Sequence, residues 1–185
     1  MHSHAVDQLR YIRQAMEGAG SFTAVPGWGG VAAGCLALAA TGIAWQFDRR
    51  GWLYTWLTTL AVSMAIVIVA AQRKAARTGA QAGPARKFVR SFLPAMAAGG
   101  VLTLALHAAG HDAMLPGIWL LLYGVAVTNA GTFSVKAVPM LGLSAMALGA
   151  GALIAPESWG DGFMAAGFGL LNIGFGLWIA RNYGG

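Results

Sequence analysis

QRKAARTGAQAGPARKFVR, residues 72–90, is the one long polar stretch in an otherwise apolar chain. It holds Arg73, Lys74, Arg77, Arg86, Lys87 and Arg90, six of the twelve Lys and Arg residues. Long apolar runs flank it on both sides. A segment this charged has no place in hydrocarbon, and Lys and Arg gather in the cytoplasmic connections of membrane proteins. The stretch is read as a basic cytoplasmic loop, and alternation from it assigns a side to every other connection.

Composition leads to the same class. The 185 residues are 57% hydrophobic and 10% charged, against about 25% charged in a soluble domain. The fold class expected is all-α: a polytopic integral membrane protein with six transmembrane helices in one domain, residues 1–185. The spans read from hydropathy are 28–47, 52–71, 91–109, 115–135, 137–155 and 163–180. Each approaches the ~20 residues that cross ~30 Å of hydrocarbon. The runs do not alternate with period two, which argues against barrel strands. With 72–90 inside, ten Lys and Arg fall inside and only Arg49 and Arg50 outside. That asymmetry places both termini in the cytoplasm, in a plasma or bacterial inner membrane.

The net charge of +6 raises nucleic acid as a partner. The charges lie in the connections between spans, however, so no nucleic acid is expected. The single Cys35 lies in the first span and forms no intrachain disulfide. The N-terminal MHSHAVDQLRYIRQAMEG lacks the apolar core of a signal peptide. Over residues 4–17, Val6, Leu9, Ile12 and Met16 recur at helical steps, so this segment reads as an amphipathic cytoplasmic helix. Ser21-Phe22 and Gly29-Gly30-Val31 recur as Ser91-Phe92 and Gly99-Gly100-Val101, a weak sign of repeated hairpins.

Three groups of residues could carry function. His107 and His111 stand four residues apart at the outer end of the third span, the spacing of two metal ligands on one helical turn. A third ligand would come from Glu157 or Asp161, and HAAGH lacks the Glu general base of zinc-peptidase helices. Asn129 and Asn172, with Thr128 and Thr132, are polar groups within spans and are expected to point into the bundle. Glycines at 30 and 34, and at 167, 169, 174 and 176, mark faces where helix backbones approach closely. Those faces serve packing within one bundle or, alternatively, association of two copies.

No catalytic set emerges: no Ser–His–acid group, no phosphate-binding Gly loop with its Lys, no intramembrane carboxylate pair. No cofactor is expected. The leading functional expectation is a non-enzymatic membrane module that binds a cytoplasmic protein partner. The alternatives are a small transporter or channel for an uncharged or weakly polar solute, and a metal or haem site at His107 and His111.

Overall fold

The computed structural model describes residues 25–78, 82–132 and 134–183. The helix expected over residues 4–17 lies outside them. The described residues form helices joined by short connections. Six helices are long and apolar enough to cross a membrane. They are α1 (Gly27–Ala44), α2 (Arg49–Thr78), α3 (Ala82–Ala108), α4 (Leu115–Gly131), α5 (Ala137–Ile154) and α6 (Glu157–Tyr183). One end of the bundle carries Arg49, Asp112 and Glu157. The other carries Lys74, Lys136 and Arg181.

Segment 72–90 is largely helical rather than a loop: α2 continues through Arg73, Lys74 and Arg77 to Thr78, and α3 begins at Ala82. Gln, Arg, Lys and Ala are strong helix formers, so leaving hydrocarbon gives the backbone no reason to stop. α2 is 30 residues long and α3 27, about 45 and 40 Å of helix at 1.5 Å per residue. α1, α4 and α5 have 17 or 18 residues. The two long helices therefore overshoot their neighbours.

α4 and α5 pack along their length. Gly117, Gly124 and Gly131 repeat every seven residues on α4, and Gly142 and Gly149 do so on α5. Seven residues fall about 20° short of two full turns, so each series stays on one face. A Cβ on Gly124 would lie 2.6 Å from the Gly142 carbonyl oxygen, and one on Gly142 would lie 2.6 Å from Thr128 N. One on Gly149 would lie 2.6 Å from Leu121 N. Only glycine lets the backbones meet this closely.

A second seam joins α1 to α6. A Cβ on Gly34 would lie 2.7 Å from the Gly169 carbonyl oxygen, and one on Gly27 2.7 Å from that of Gly176. A Cβ on Gly176 would lie 2.8 Å from Val31 N, and one on Gly30 a looser 3.5 Å from Gly176 Cα. Gly167 faces Leu120 on α4. Gly174 is a correction to the packing stripe read from sequence: a Cβ there would meet no neighbouring helix within 4 Å. The step from Gly167 to Gly174 crosses a π-helical segment, Ala165–Leu171. There each i→i+5 hydrogen bond encloses an extra residue, so α-helical register is lost.

α6 sits between α1 and α5 and also touches α4. α2 packs along α1 and α3 along α4, which puts the two long helices at the periphery. Only 6% of each one's most apolar stretch is buried, so their apolar faces need another apolar medium.

Candidate functional site

Asp48 precedes α2 and accepts a 2.9 Å hydrogen bond from the Gly51 backbone N–H, an N-cap contact that fixes where the helix starts. The cap sets Arg49 and Trp52 over the open end of the bundle. Arg49 Nη1 lies 3.4 Å from Asp112 Oδ2, and its Nη2 3.4 Å from Glu157 Oε1. Trp52 Nε1 donates to Asp161 Oδ1 at 2.7 Å. One turn of α2 thus reaches the 109–114 connection and the first turns of α6. A cavity of about 260 Å³ lies among these groups, lined by Phe47, Arg49, Trp52, Asp112, Glu157 and Asp161 among others.

The histidines do not share a helical turn. α3 ends at Ala108. His111 N bonds the Leu106 carbonyl at 2.8 Å and Gly110 N the His107 carbonyl at 3.1 Å. These are the two hydrogen bonds of a Schellman ending, and Gly110 supplies the left-handed residue it requires, with φ of 74°. The chain then reverses into the turn Asp112–Met114. His107 Nδ1–H donates to Asp112 Oδ1 at 2.7 Å, while His111 is exposed. Asp112 is buried and spends one oxygen on His107 and the other on Arg49. Among the described residues no three His, Cys, Asp or Glu side chains are grouped to hold a metal ion.

From the cavity an aromatic row leads into the bundle. Trp119 stacks on Trp52 with ring centres 5.5 Å apart, and Trp52 meets Trp56 at 6.3 Å. Trp56 meets Phe168 at 6.2 Å, and Phe168 meets Tyr123 at 5.1 Å. Trp119 Nε1 donates to Thr103 Oγ1 at 2.7 Å, which ties α4 to α3. The row ends at Asn172. Tyr123 Oη donates to Asn172 Oδ1 at 2.8 Å. Asn172 Nδ2 donates to the carbonyls of Gly167 and Phe168 at 3.3 and 3.2 Å. Both carbonyls belong to the π-helical segment, whose disturbed ladder the Asn amide completes.

The other in-span polar groups behave differently. Asn129 is exposed, against the expectation that it points inward. It lies two residues before Gly131, the last residue of α4, and the cap residue Thr132 donates from Oγ1 to its backbone carbonyl at 2.7 Å. So near a helix end the amide is at the level where water or headgroups satisfy it, and nothing forces it inside. Thr132 is also exposed. Thr128 Oγ1 is buried without a hydrogen-bond partner, pressed into the α4–α5 seam beside Gly142.

Sequence reasoning missed Lys74. It was counted with the loop charges, yet it is 7% exposed. Its Nζ donates to the Val25 carbonyl at 2.9 Å and to the Tyr183 carbonyl at 3.0 Å. It joins α2 to the entry of α1 and to the last turn of α6, where a cation also favours the helix dipole. The roles of Arg49, Trp52, Thr103 and Tyr123 were missed as well. The only available signal was their position at span ends or on a helix face turned to the bundle.

Among the described residues, the Arg49 end is tied by ion pairs and hydrogen bonds, and the Asn172 amide is satisfied by Tyr123 and two carbonyls. No protein family, curated protein or solved structure was found to match the chain.

Proposed function

We propose that the protein is a multi-pass membrane module, with the Lys74 end in the cytoplasm, that binds a cytoplasmic protein partner there. The observation that carries this reading is the separation of charge. The four described carboxylates, Asp48, Asp112, Glu157 and Asp161, stand at the Arg49 end. Eight of the ten described Lys and Arg residues stand at the Lys74 end. Such a gradient orients a chain in a membrane and leaves the cytoplasmic face basic. The overshoot of α2 and α3 adds surface on that side, and the 1–24 segment is attached to it. A partner with an acidic surface complements this face.

Two experiments test the reading. Cysteines introduced singly at Glu157 and Ala80 in a Cys35→Ala background are treated with an impermeant reagent on intact cells. Labelling is expected at 157 and not at 80, and labelling at 80 would reverse the orientation. For partner binding, Leu9→Glu with Ile12→Glu breaks the apolar stripe of residues 4–17. Recovery of the partner by crosslinking should fall at least tenfold, and unchanged recovery removes the N-terminal segment from the interaction.

A second reading has its own support. The cavity at the Arg49 end opens onto Trp52, and the aromatic row runs from there to Asn172 beside a π-helical segment, a feature found often at functional sites. On this reading the cavity takes up a small, weakly polar solute and the aromatic row separates to pass it to Asn172. Asn172→Leu should then abolish uptake into reconstituted vesicles while the bundle stays folded.

A further inference from the structure

The outward faces of α2 and α3 near the Lys74 end each carry two arginines one helical turn apart, Arg73 with Arg77 and Arg86 with Arg90. All four are exposed. Residues 49–111 contain no Asp or Glu at all, and the described carboxylates lie at the opposite end. Complementary charge for these arginines has to come from outside the two helices.

Each pair continues into an apolar stripe on the same face. On α3 the series Arg86, Arg90, Leu93, Ala97, Val101, Leu104 advances by three or four residues, the spacing that keeps one side of a helix. Every member is exposed. On α2 the series Val62, Ala65, Val69, Arg73, Arg77 does the same and is exposed throughout. From Leu93 to Leu104 the strip is about 16 Å long at 1.5 Å per residue, close to half of the ~30 Å hydrocarbon core. It has the depth of one leaflet, with two guanidinium forks at its outer end. Guanidinium binds phosphate oxygens in a bidentate way, and a fixed pair one turn apart can clamp a single phosphate.

We propose that these two stripes are binding sites for anionic phospholipid, with the phosphate on the arginine pair and the chains along the apolar strip. The proposal rests on the membrane reading above. It assigns the four lateral arginines of the basic end to lipid and leaves the rest of that face, with residues 1–24, to the protein partner. A soluble acidic partner reaches the arginines but gains nothing from the strip beneath them, whereas a phospholipid matches both.

The test uses the full chain, delipidated in neutral detergent, with its thermal midpoint followed by tryptophan fluorescence. Phosphatidylglycerol and phosphatidylcholine with identical chains are added in turn as mixed micelles, then inorganic phosphate, then poly-glutamate. Phosphatidylglycerol should raise the midpoint clearly above the phosphatidylcholine value, and phosphate and poly-glutamate should not. Arg86→Gln with Arg90→Gln, and Arg73→Gln with Arg77→Gln, should each remove about half of that difference. Equal effects of the two lipids overturn the proposal. So does a full response in the protein with all four arginines changed. A poly-glutamate response as large as that of phosphatidylglycerol assigns the pairs to an acidic protein instead, and an equal phosphate response assigns them to the free ion. If the Gln variants do not fold, the wild-type comparison of the two lipids still decides. The membrane reading fails separately, if alkaline carbonate releases the protein from membranes. A protein that resists carbonate yet ignores headgroup charge defeats only the lipid proposal.

Discussion

The inner helices and the outer helices are held together by different means. Along α4–α5 and α1–α6 the backbones themselves touch, at glycines spaced by two turns or by one. Beyond its packing along α1, α2 reaches the rest of the bundle through long side chains: Trp52 to Trp119 and Asp161, Trp56 to Phe168, Arg49 to Asp112 and Glu157, and Lys74 to the Val25 and Tyr183 carbonyls. In hydrocarbon there is no hydrophobic force between helices, so close packing and hydrogen bonds are what remain. A backbone seam has no slack, because neither wall can rotate away. A side-chain tie spans a gap and can rearrange. The inner seams should therefore be brittle and the outer ties tolerant, in the order of how little each can move.

The largest effect is expected at Gly142. Leu there must enter a space where even a Cβ would be 2.6 Å from Thr128 N and 2.7 Å from the Gly124 carbonyl oxygen. Overpacking usually costs about 1–3 kcal/mol, and backbone on both sides puts Gly142→Leu at the top of that range or above. Little folded protein should survive detergent extraction, as read by size exclusion. A normal thermal midpoint would show that the α4–α5 seam can open.

Trp56→Ala comes next. Trp56 is 4% exposed among Ala37, Ala40, Ala44 and Met164. Its loss leaves a large hole, at a cost of about 2–3 kcal/mol given the usual ~3–5 for buried aromatics in water-soluble cores. Trp56→Phe should cost much less, because Trp56 Nε1 has no hydrogen-bond partner to lose. Lys74→Met follows, at about 1–2 kcal/mol, since it strands two carbonyls in a buried place. Arg49→Gln should cost under ~1 kcal/mol. Its side chain is 53% exposed and both its ion pairs are 3.4 Å long. Thermal midpoints in one detergent rank all three. Arg49→Gln costing more than Lys74→Met would invert the comparison between exposed and buried ties.

The six long apolar helices were legible in the sequence because hydropathy is a sum over about twenty residues and tolerates local error. Their limits at 72–90 were not, since charge ends a membrane span without ending a helix. Asn172 was read as pointing inward, and it is turned to Tyr123; Asn129, with the same side chain, is not. The difference is depth along the helix, which sequence locates only to within a turn. Lys74 was hidden among five other basic residues, and only the fold shows which of them turns toward Val25 and Tyr183. The seven-residue glycine series of α4, at 117, 124 and 131, is as regular in the sequence as the one that joins 167 to 174 on α6. A repeat says that a face is smooth, not that a neighbour lies against it.

Gly174 is where that distinction can be measured, and it carries the smallest expected effect. From sequence alone, Gly174→Leu looks costly, because Gly174 repeats Gly167 seven residues on and belongs to the same motif as Gly176. A Cβ on Gly176 would lie 2.8 Å from Val31 N and one on Gly167 would run into Leu120, but the place of a Cβ on Gly174 is empty to 4 Å. An added side chain therefore displaces no protein atom and, in a bilayer, enters lipid. Helix propensity also favours Leu over Gly, by several tenths of a kcal/mol. Gly174→Leu should thus stay within about 0.5 kcal/mol of wild type, the range of ordinary surface changes, with a midpoint unchanged or slightly raised. Gly176→Leu, two residues on, should be severe. The pair of variants separates a glycine kept for a backbone contact from one that has none. If both prove equally damaging, either α6 is rotated from the position described or a second copy of the chain covers the Gly174 face. Chemical crosslinking of wild-type protein through a cysteine at Leu170, exposed on α6 one turn before Gly174, would tell those two outcomes apart.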